Sequence, residues 1–369
     1  MIRDDSHSNA NLYYLTGFKA PDPFIYLRKD GESIIVVPQL EFSKAKEEAE
    51  VDRVISSSAF TPGDSRNNDE KTISIFESLL ERFEIEKVSV PSDFELKFAD
   101  EIRKIGIDIS AIEDKVMDSR EIKSSNEIDN LRQAQQATEK AMKKAEEMLE
   151  SSAVKDGKLY LNGNILTSER IKREIGIFLF ENGCEVPDET IVASGPDSAK
   201  PHSRGSGPIK PREPIVIDIF PRHKNRYFGD MTRSFVKGKP STELKEMKEA
   251  VLEAQKAALE VLEKGAGVNT TEVHNKVCDV FEKNGYDTLR DNTAESGFIH
   301  STGHAVGLDL HEPPRIADNE TELKSGHVLT IEPGLYLPEI GGVRIEDMVL
   351  ITENGYENFN SMHKELEID

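Results

Sequence analysis

PIVIDIFPRHKNRYFGDMTRSFV (214–236) reads as two β-strands around a turn, with one acid on each arm, Asp218 and Asp230. Alternation puts Val216, Asp218 and Phe220 on one face of the first arm and Ile215, Ile217 and Ile219 on the other. A second stretch of the same design, VLTIEPGLYLPEIGGVRIEDMVLI (328–351), carries Glu332 and Glu346. There Thr330 shares a face with Glu332, and Arg344 with Glu346, opposite Val343 and Ile345. Acids on strands whose other face is strongly apolar are poor candidates for open surface. Buried and unpaired, they would protonate or destabilise the fold, so they call for metal ions or strong donors. An ion-pair network with Arg233 and Arg344 is the plain alternative, but the four acids outnumber those two bases.

Working outward, the same order of elements occurs twice. Thr167-Ser168-Glu169 opens a helix that stops at Asn182-Gly183, and Thr270-Thr271-Glu272 opens another that stops at Asn284-Gly285. His202 follows the first of these glycines at the spacing at which His304 follows the second, and each histidine precedes one acid-bearing hairpin. Longer helices are expected from Ser124, whose Glu127 completes a capping box, and over 242–263. A helix-helix-hairpin unit used twice predicts an α/β fold with helices outside the sheet and the acids between the halves.

Four carboxylates and one imidazole, His304 in the glycine-bearing turn HSTGHAVGL (300–308), suit a pair of hard divalent cations. Asp230 and Glu346, the second acid of each hairpin, are candidates to bridge the pair. Asp218 would complete one ion, and His304 with Glu332 the other. Such ions bring the pKa of a bound water toward ~7, and Glu332 is placed to relay its proton to a leaving amine. His202, His300 and His311 sit in Gly- or Pro-rich turns beside these residues, where they could hold a substrate carbonyl and an oxyanion. Arg344 could orient its neighbouring ligand or contact substrate. His7, His223, His274, His327 and His363 read as ordinary core or surface residues.

Residues 1–118 form a smaller α/β unit: β-like runs NLYYLTGF, FIYLRKDG and SIIVVP, the helical EFSKAKEEAE and KTISIFESLLERF, then KVSVPS, FELKFADEIRKIG and IDISAI. It has no acid, His or Cys cluster at ligand spacing. The basic turn 221–226 reads as a solvated loop, 195–208 as a mobile segment delivering His202, and 56–65 as a loop. Net charge is −22, which opposes binding to nucleic acid. No apolar run approaches the ~18 residues of a membrane span. The start shows no signal-peptide order, and two cysteines, Cys184 and Cys278 in helix-like patterns, make no disulfide framework. A reducing cytoplasm is expected.

The segments SGPDSAKPH, VIDIFPRHKNRYFGDMTRSF, HSTGHAVGLDLHEPPR, TIEPGLYLP and GGVRIED, in this order, resemble the pita-bread metallopeptidases: prolidases, Xaa-Pro aminopeptidases and their relatives. The resemblance spans about 119–369, and residues 1–118 resemble the creatinase-type N-terminal domain. It implies that Asp218, Asp230, His304, Glu332 and Glu346 are the ligands of two divalent metal ions per subunit (Mn, Co, Zn or Fe). His202, His300, His311 and Arg344 fall on its substrate-binding and transition-state positions. It further implies a small peptide substrate with proline second, and a homodimer. The chain departs from the family pattern at Asp218-Ile219-Phe220-Pro221, where Asp-x-Gly is usual, and at Ala305, where glycine is usual.

A dipeptidase must hold the free carboxylate of the proline, and Arg315, in HEPPR, could clamp it bidentately. An Xaa-Pro dipeptidase is therefore the leading expectation, with an Xaa-Pro aminopeptidase for longer peptides next. A metal-free binding module and a creatinase-like amidinohydrolase are the remaining alternatives, and the intact ligand-type residues speak against both.

Overall fold

The computed structural model describes residues 1–60, 68–112, 115–185, 190–290 and 294–369. These divide into two compact units, Met1–Arg120 and Glu121–Asp369. Within the described residues no helix is long and apolar enough to cross a membrane.

In the first unit, strands Ile2–Asp4, Phe24–Lys29, Glu32–Val37 and Arg53–Ser56 lie side by side in chain order, the last pair parallel. Lys87–Pro91 and Asp108–Ile112 form a parallel pair. NLYYLTGF is not a strand. It forms the helix Ala10–Thr16, because Asn9 accepts from the Leu12 N–H and Gly17 closes the helix at φ +59°. Those end signals outweigh a short run of β-like residues, and the helix buries Ala10, Leu12 and Thr16. Of segment 56–65, Ser57–Ala59 make a 3-10 turn, and residues 61–65 lie outside the described residues.

The second unit uses its helix-helix-hairpin order twice. The helix Ser125–Glu150, started by the Ser124–Glu127 capping box, and the helix Ser168–Glu181 pack behind a four-stranded sheet. That sheet runs Ile191–Ser194, Ile215–Ile219, Met231–Lys237, Glu367–Ile368. The helices Thr242–Leu262 and Thr270–Lys283 pack behind a five-stranded sheet. Its order is Glu312–Ile316, Gly303–Ala305, Val328–Ile331, Asp347–Thr352, Gly355–Asn358. Ile215, Ile217 and Ile219 belong to the first core, and Val343 and Ile345 to the second, so the acids on the opposite strand faces turn away from the helices.

Four local expectations change. The basic turn 221–226 is not solvated: Arg222–His223 pairs with Cys184–Glu185, and His223 and Arg226 are buried. That pairing also makes Cys184 a strand residue rather than a helical one. Segment 195–208 is anchored rather than loose, because Ser198 Oγ donates to the Gly195 carbonyl and accepts from the Gly342 N–H at 2.8 Å. Finally, the second hairpin is broken in the middle. Val328–Ile331 pairs with Asp347–Thr352, Gly334–Leu337 pairs with Gly341–Arg344, and Glu332 and Glu346 sit in the gaps between.

Candidate metal centre

Asp218 lies opposite Thr232 in the first hairpin, so both face inward, and the Thr232 hydroxyl donates to Glu346 Oε2 at 2.8 Å. Asp230 precedes the Met231–Lys237 strand. The residue before it must be small, because a Cβ on Gly229 would stand 2.2 Å from Thr138 Oγ1. Glycine is likewise required before His304, since a Cβ at Gly303 would fall 1.9 Å from the Thr330 carbonyl oxygen. This close approach, with a register shift at His304/Ala305, aims the imidazole across the sheet face. Ala305, where the family pattern has glycine, buries its methyl in the second core and not in the site.

His304 Nδ1 donates to the Ala305 carbonyl at 3.1 Å, which leaves Nε2 as the unprotonated nitrogen. Nε2 lies 3.6 Å from both Asp230 Oδ2 and Glu332 Oε1. Ligand atoms of Asp230, His304 and Glu346 all fall within 4.8 Å of one another. Asp218 reaches the same cluster: Oδ2 accepts from Arg344 Nη2 at 2.6 Å, whereas Oδ1 is buried with no hydrogen-bond partner. Arg233, the other base of the ion-pair alternative, turns away to Asp347 Oδ1 at 2.8 Å.

The electrostatics match a cage built for cations. Burial, followed by the negative charge of the neighbouring acids, holds Asp230 and Glu346 well above the usual carboxylate range. Burial pushes Glu332 up to about 7 despite the opposing charge of Arg344. Burial and then the nearby His311 lower His304 to about 4, keeping it a neutral donor. Four carboxylates, one neutral imidazole and an orphaned buried oxygen on Asp218 fit hard divalent cations, which would stabilise the charged acids.

Around this cluster, His311 meets His304 edge to face with ring centroids 4.4 Å apart. Burial, then the charge of Arg315, lowers His311. His202 and Arg315 are exposed, and the charge of each is felt at His311. His300 is wholly engaged: Nδ1 donates to the Ser301 carbonyl at 2.7 Å and Nε2 accepts from the Tyr336 hydroxyl at 3.0 Å. Burial, with the charge of Arg344, takes its pKa down to about 3. Arg344 Nη1 donates to that same hydroxyl at 2.7 Å. A cleft of about 410 Å³ is lined by His311, Glu312, Arg315, Asn319 and Thr321.

Sequence reasoning missed Tyr336, Thr232, and the buried Lys123–Glu312 pair next to His311 (2.8 Å). Tyr336 gave a weak signal, because TIEPGLY puts an aromatic two residues beyond a glycine that a side chain would block. A Cβ at Gly334 would meet the Tyr336 hydroxyl at 2.6 Å.

Residues 129–353 match metallopeptidase family M24, and residues 6–133 match the creatinase/prolidase N-terminal domain. The chain is 35% identical to the Xaa-Pro dipeptidase of Pyrococcus furiosus, over 97% of this chain and 92% of that one. It is 34% identical to the Xaa-Pro dipeptidase of Pyrococcus horikoshii over the same shares. Among solved structures, the X-Pro aminopeptidase of Thermotoga maritima superposes with a TM-score of 0.83 at 26% identity, covering 100% of this chain and 96% of that one. The Pyrococcus furiosus prolidase superposes at 0.79 with 31% identity, covering 96% and 95%.

Proposed function

This chain belongs to metallopeptidase family M24 and is a metal-dependent hydrolase of the Xaa-Pro dipeptidase kind, and from that premise we propose how its residues divide the work. Asp218, Asp230, His304, Glu332 and Glu346 would hold two divalent cations. The observation that supports this most is the meeting of Asp230 from one hairpin with His304 and Glu346 from the other half, all buried and within 4.8 Å.

When bound, such cations supply Lewis acidity and a water that ionises near neutral pH. Glu332, whose Oε1 stands 3.6 Å from His304 Nε2 at the edge of the cluster, is suited to take a proton from the attacking water and pass it to the proline nitrogen as the C–N bond breaks. His202 and His311, both exposed beside the cluster, meet the substrate carbonyl and its developing oxyanion. His300 acts through Tyr336 and Arg344, since both of its nitrogens already have partners. Arg315, on the wall of the cleft, binds the carboxylate of the substrate proline. The same proposal takes Mn, Co, Zn or Fe as the metal and a homodimer as the assembly. A reducing cytoplasm is supported by two buried free thiols.

Purified protein loaded with Mn²⁺ or Co²⁺ should release proline from an Xaa-Pro dipeptide, and EDTA should abolish the release. Absence of metal-dependent turnover on any Xaa-Pro substrate would sink the proposal. An aminopeptidase for longer peptides is the second reading, favoured by the fit to the Thermotoga maritima enzyme. Faster cleavage of Xaa-Pro tripeptides than of dipeptides would select it.

A further inference from the structure

We propose that two buried glutamines, Gln135 and Gln255, are positioning residues that fix the main chain of the metal-binding acids. The inference rests on the cation cage above, and concerns what holds its carboxylates in place. Each glutamine comes from the long helix that opens one half of the second unit, and each is essentially inaccessible, at 0% and 1% exposure.

Gln135 pairs with Asp230 as a neighbouring strand would. Its Oε1 accepts from the Asp230 N–H at 2.8 Å, and its Nε2 donates to the Asp230 carbonyl at 2.7 Å. Asp230 lies just outside the Met231–Lys237 strand, so the side-chain amide meets main-chain groups that the sheet ladder does not. The helix comes close enough to do this because Gly229 leaves no Cβ against Ala134 and Thr138. Nε2 also donates to Asn360 Oδ1 at 3.1 Å, and that oxygen accepts from the Met348 N–H at 2.8 Å.

Gln255 does the corresponding work at the break in the second hairpin. Its Nε2 donates to the Ile331 carbonyl at 3.0 Å and lies 3.4 Å from the Ile345 carbonyl. Those residues directly precede Glu332 and Glu346. Lys364 Nζ donates to Gln255 Oε1 at 2.7 Å, which fixes the orientation of the amide. One planar amide therefore ties both edges of the gap from which the two acids emerge. An apolar residue of equal length would fill the same space and remove the amide bonds to these main-chain groups, so the peptides carrying the acids would be held less firmly.

Gln135→Met and Gln255→Met remove the amide bonds while keeping side-chain length. Leu149→Ala serves as the structural control: it is buried on the Gln135 helix about 21 Å along its axis and touches no acid of the cage. Mn²⁺ alone is titrated calorimetrically into each metal-free protein, and thermal unfolding of the metal-free forms is recorded in parallel. Each Gln→Met change should weaken Mn²⁺ binding roughly tenfold to a hundredfold. Leu149→Ala should stay within about twofold of wild type while losing at least as much thermal stability. Wild-type affinity in both Met variants, or an equal affinity loss in Leu149→Ala, would overturn the inference. A wild type that takes up no Mn²⁺ would overturn the cage itself, and this inference with it, before any variant is compared.

Discussion

Arg344 donates from Nη2 to Asp218 Oδ2 at 2.6 Å, and both side chains lie almost wholly out of solvent. The other arm of the guanidinium reaches the Tyr336 hydroxyl, which donates onward to His300. A cation thus sits among the acids as a fixed counter-charge, steered by a phenol. Tyr336→Phe removes the shared hydroxyl and nothing else. The variant should lose about 1 kcal/mol of stability and roughly tenfold in kcat/KM on an Xaa-Pro dipeptide. Unchanged kinetics would show that Arg344 is held well enough by Asp218 and by the Thr232 hydroxyl, which accepts from its Nε at 3.1 Å.

Metal removal should be visible without any assay of turnover. The cage carries like charges at close quarters, and ions that bind only the folded chain stabilise it by mass action. At a free metal concentration a hundred times Kd the gain is about 2.7 kcal/mol. Dialysis against EDTA should therefore lower Tm, and Mn²⁺ should restore it, whereas Asp230→Asn should respond weakly to both. Equal Tm values with and without metal would contradict the expected cage.

Lys123 and Glu312 form an ion pair with both side chains 1% exposed. Glu312 also accepts from the Asp309 N–H, and a Cβ on Gly307 would lie 2.4 Å from its carboxylate, so this acid braces the turn that carries His311. Removing the lysine alone strands a buried charge, which costs about 3–5 kcal/mol. Lys123→Met should unfold at lower denaturant than the double variant Lys123→Met/Glu312→Leu. If the double variant is the less stable one, the bond from the Asp309 N–H to Glu312 outweighs the cost of leaving that carboxylate unpaired.

Asp218 was legible because strand alternation is strict: Ile215, Ile217 and Ile219 commit one face to the core, so Asp218 has only the other. His304 was legible through its flanking glycine. Gln135 and Gln255 were not, because a glutamine in a Lys- and Glu-rich helix looks the same whether it meets water or a buried peptide. Turn 221–226 misled for the same reason. Basic residues suggest solvent, yet Arg222 pairs with Glu185 across a short strand and Arg226, at φ +78°, is buried. NLYYLTGF misled because its β-like residue types mask the helix-end signals of Asn9 and Gly17.

His327 offers a pH test away from the cage. Burial, then repulsion from Lys123 and Lys324, lowers it to about 4, and its Nδ1 accepts from the Lys324 N–H. A histidine whose folded pKa lies below its unfolded value takes up protons on unfolding. Its contribution is thus present above about 6.5 and is lost as pH falls toward about 4. The Tm of wild type should fall over that window more steeply than the Tm of His327→Asn. Parallel profiles would remove His327 as the cause.

Arg315 decides between the two peptidase readings. It stands opposite His304 across the Gly303–Ala305 and Glu312–Ile316 strands, exposed on the cleft wall, and its charge reaches His304, His311 and Glu332. A dipeptide presents its carboxylate one residue beyond the scissile bond, where a guanidinium can grip both oxygens. Such a charge-assisted bond contributes roughly 1.5–3 kcal/mol, or about tenfold to a hundredfold in binding. Arg315→Ala should raise KM for the free-acid Xaa-Pro dipeptide by that factor, yet barely alter cleavage of its C-terminal amide or of an Xaa-Pro tripeptide. Equal losses on all three would make Arg315 a general electrostatic neighbour of the cage. No loss on any would place the carboxylate elsewhere and shift the preference to longer peptides.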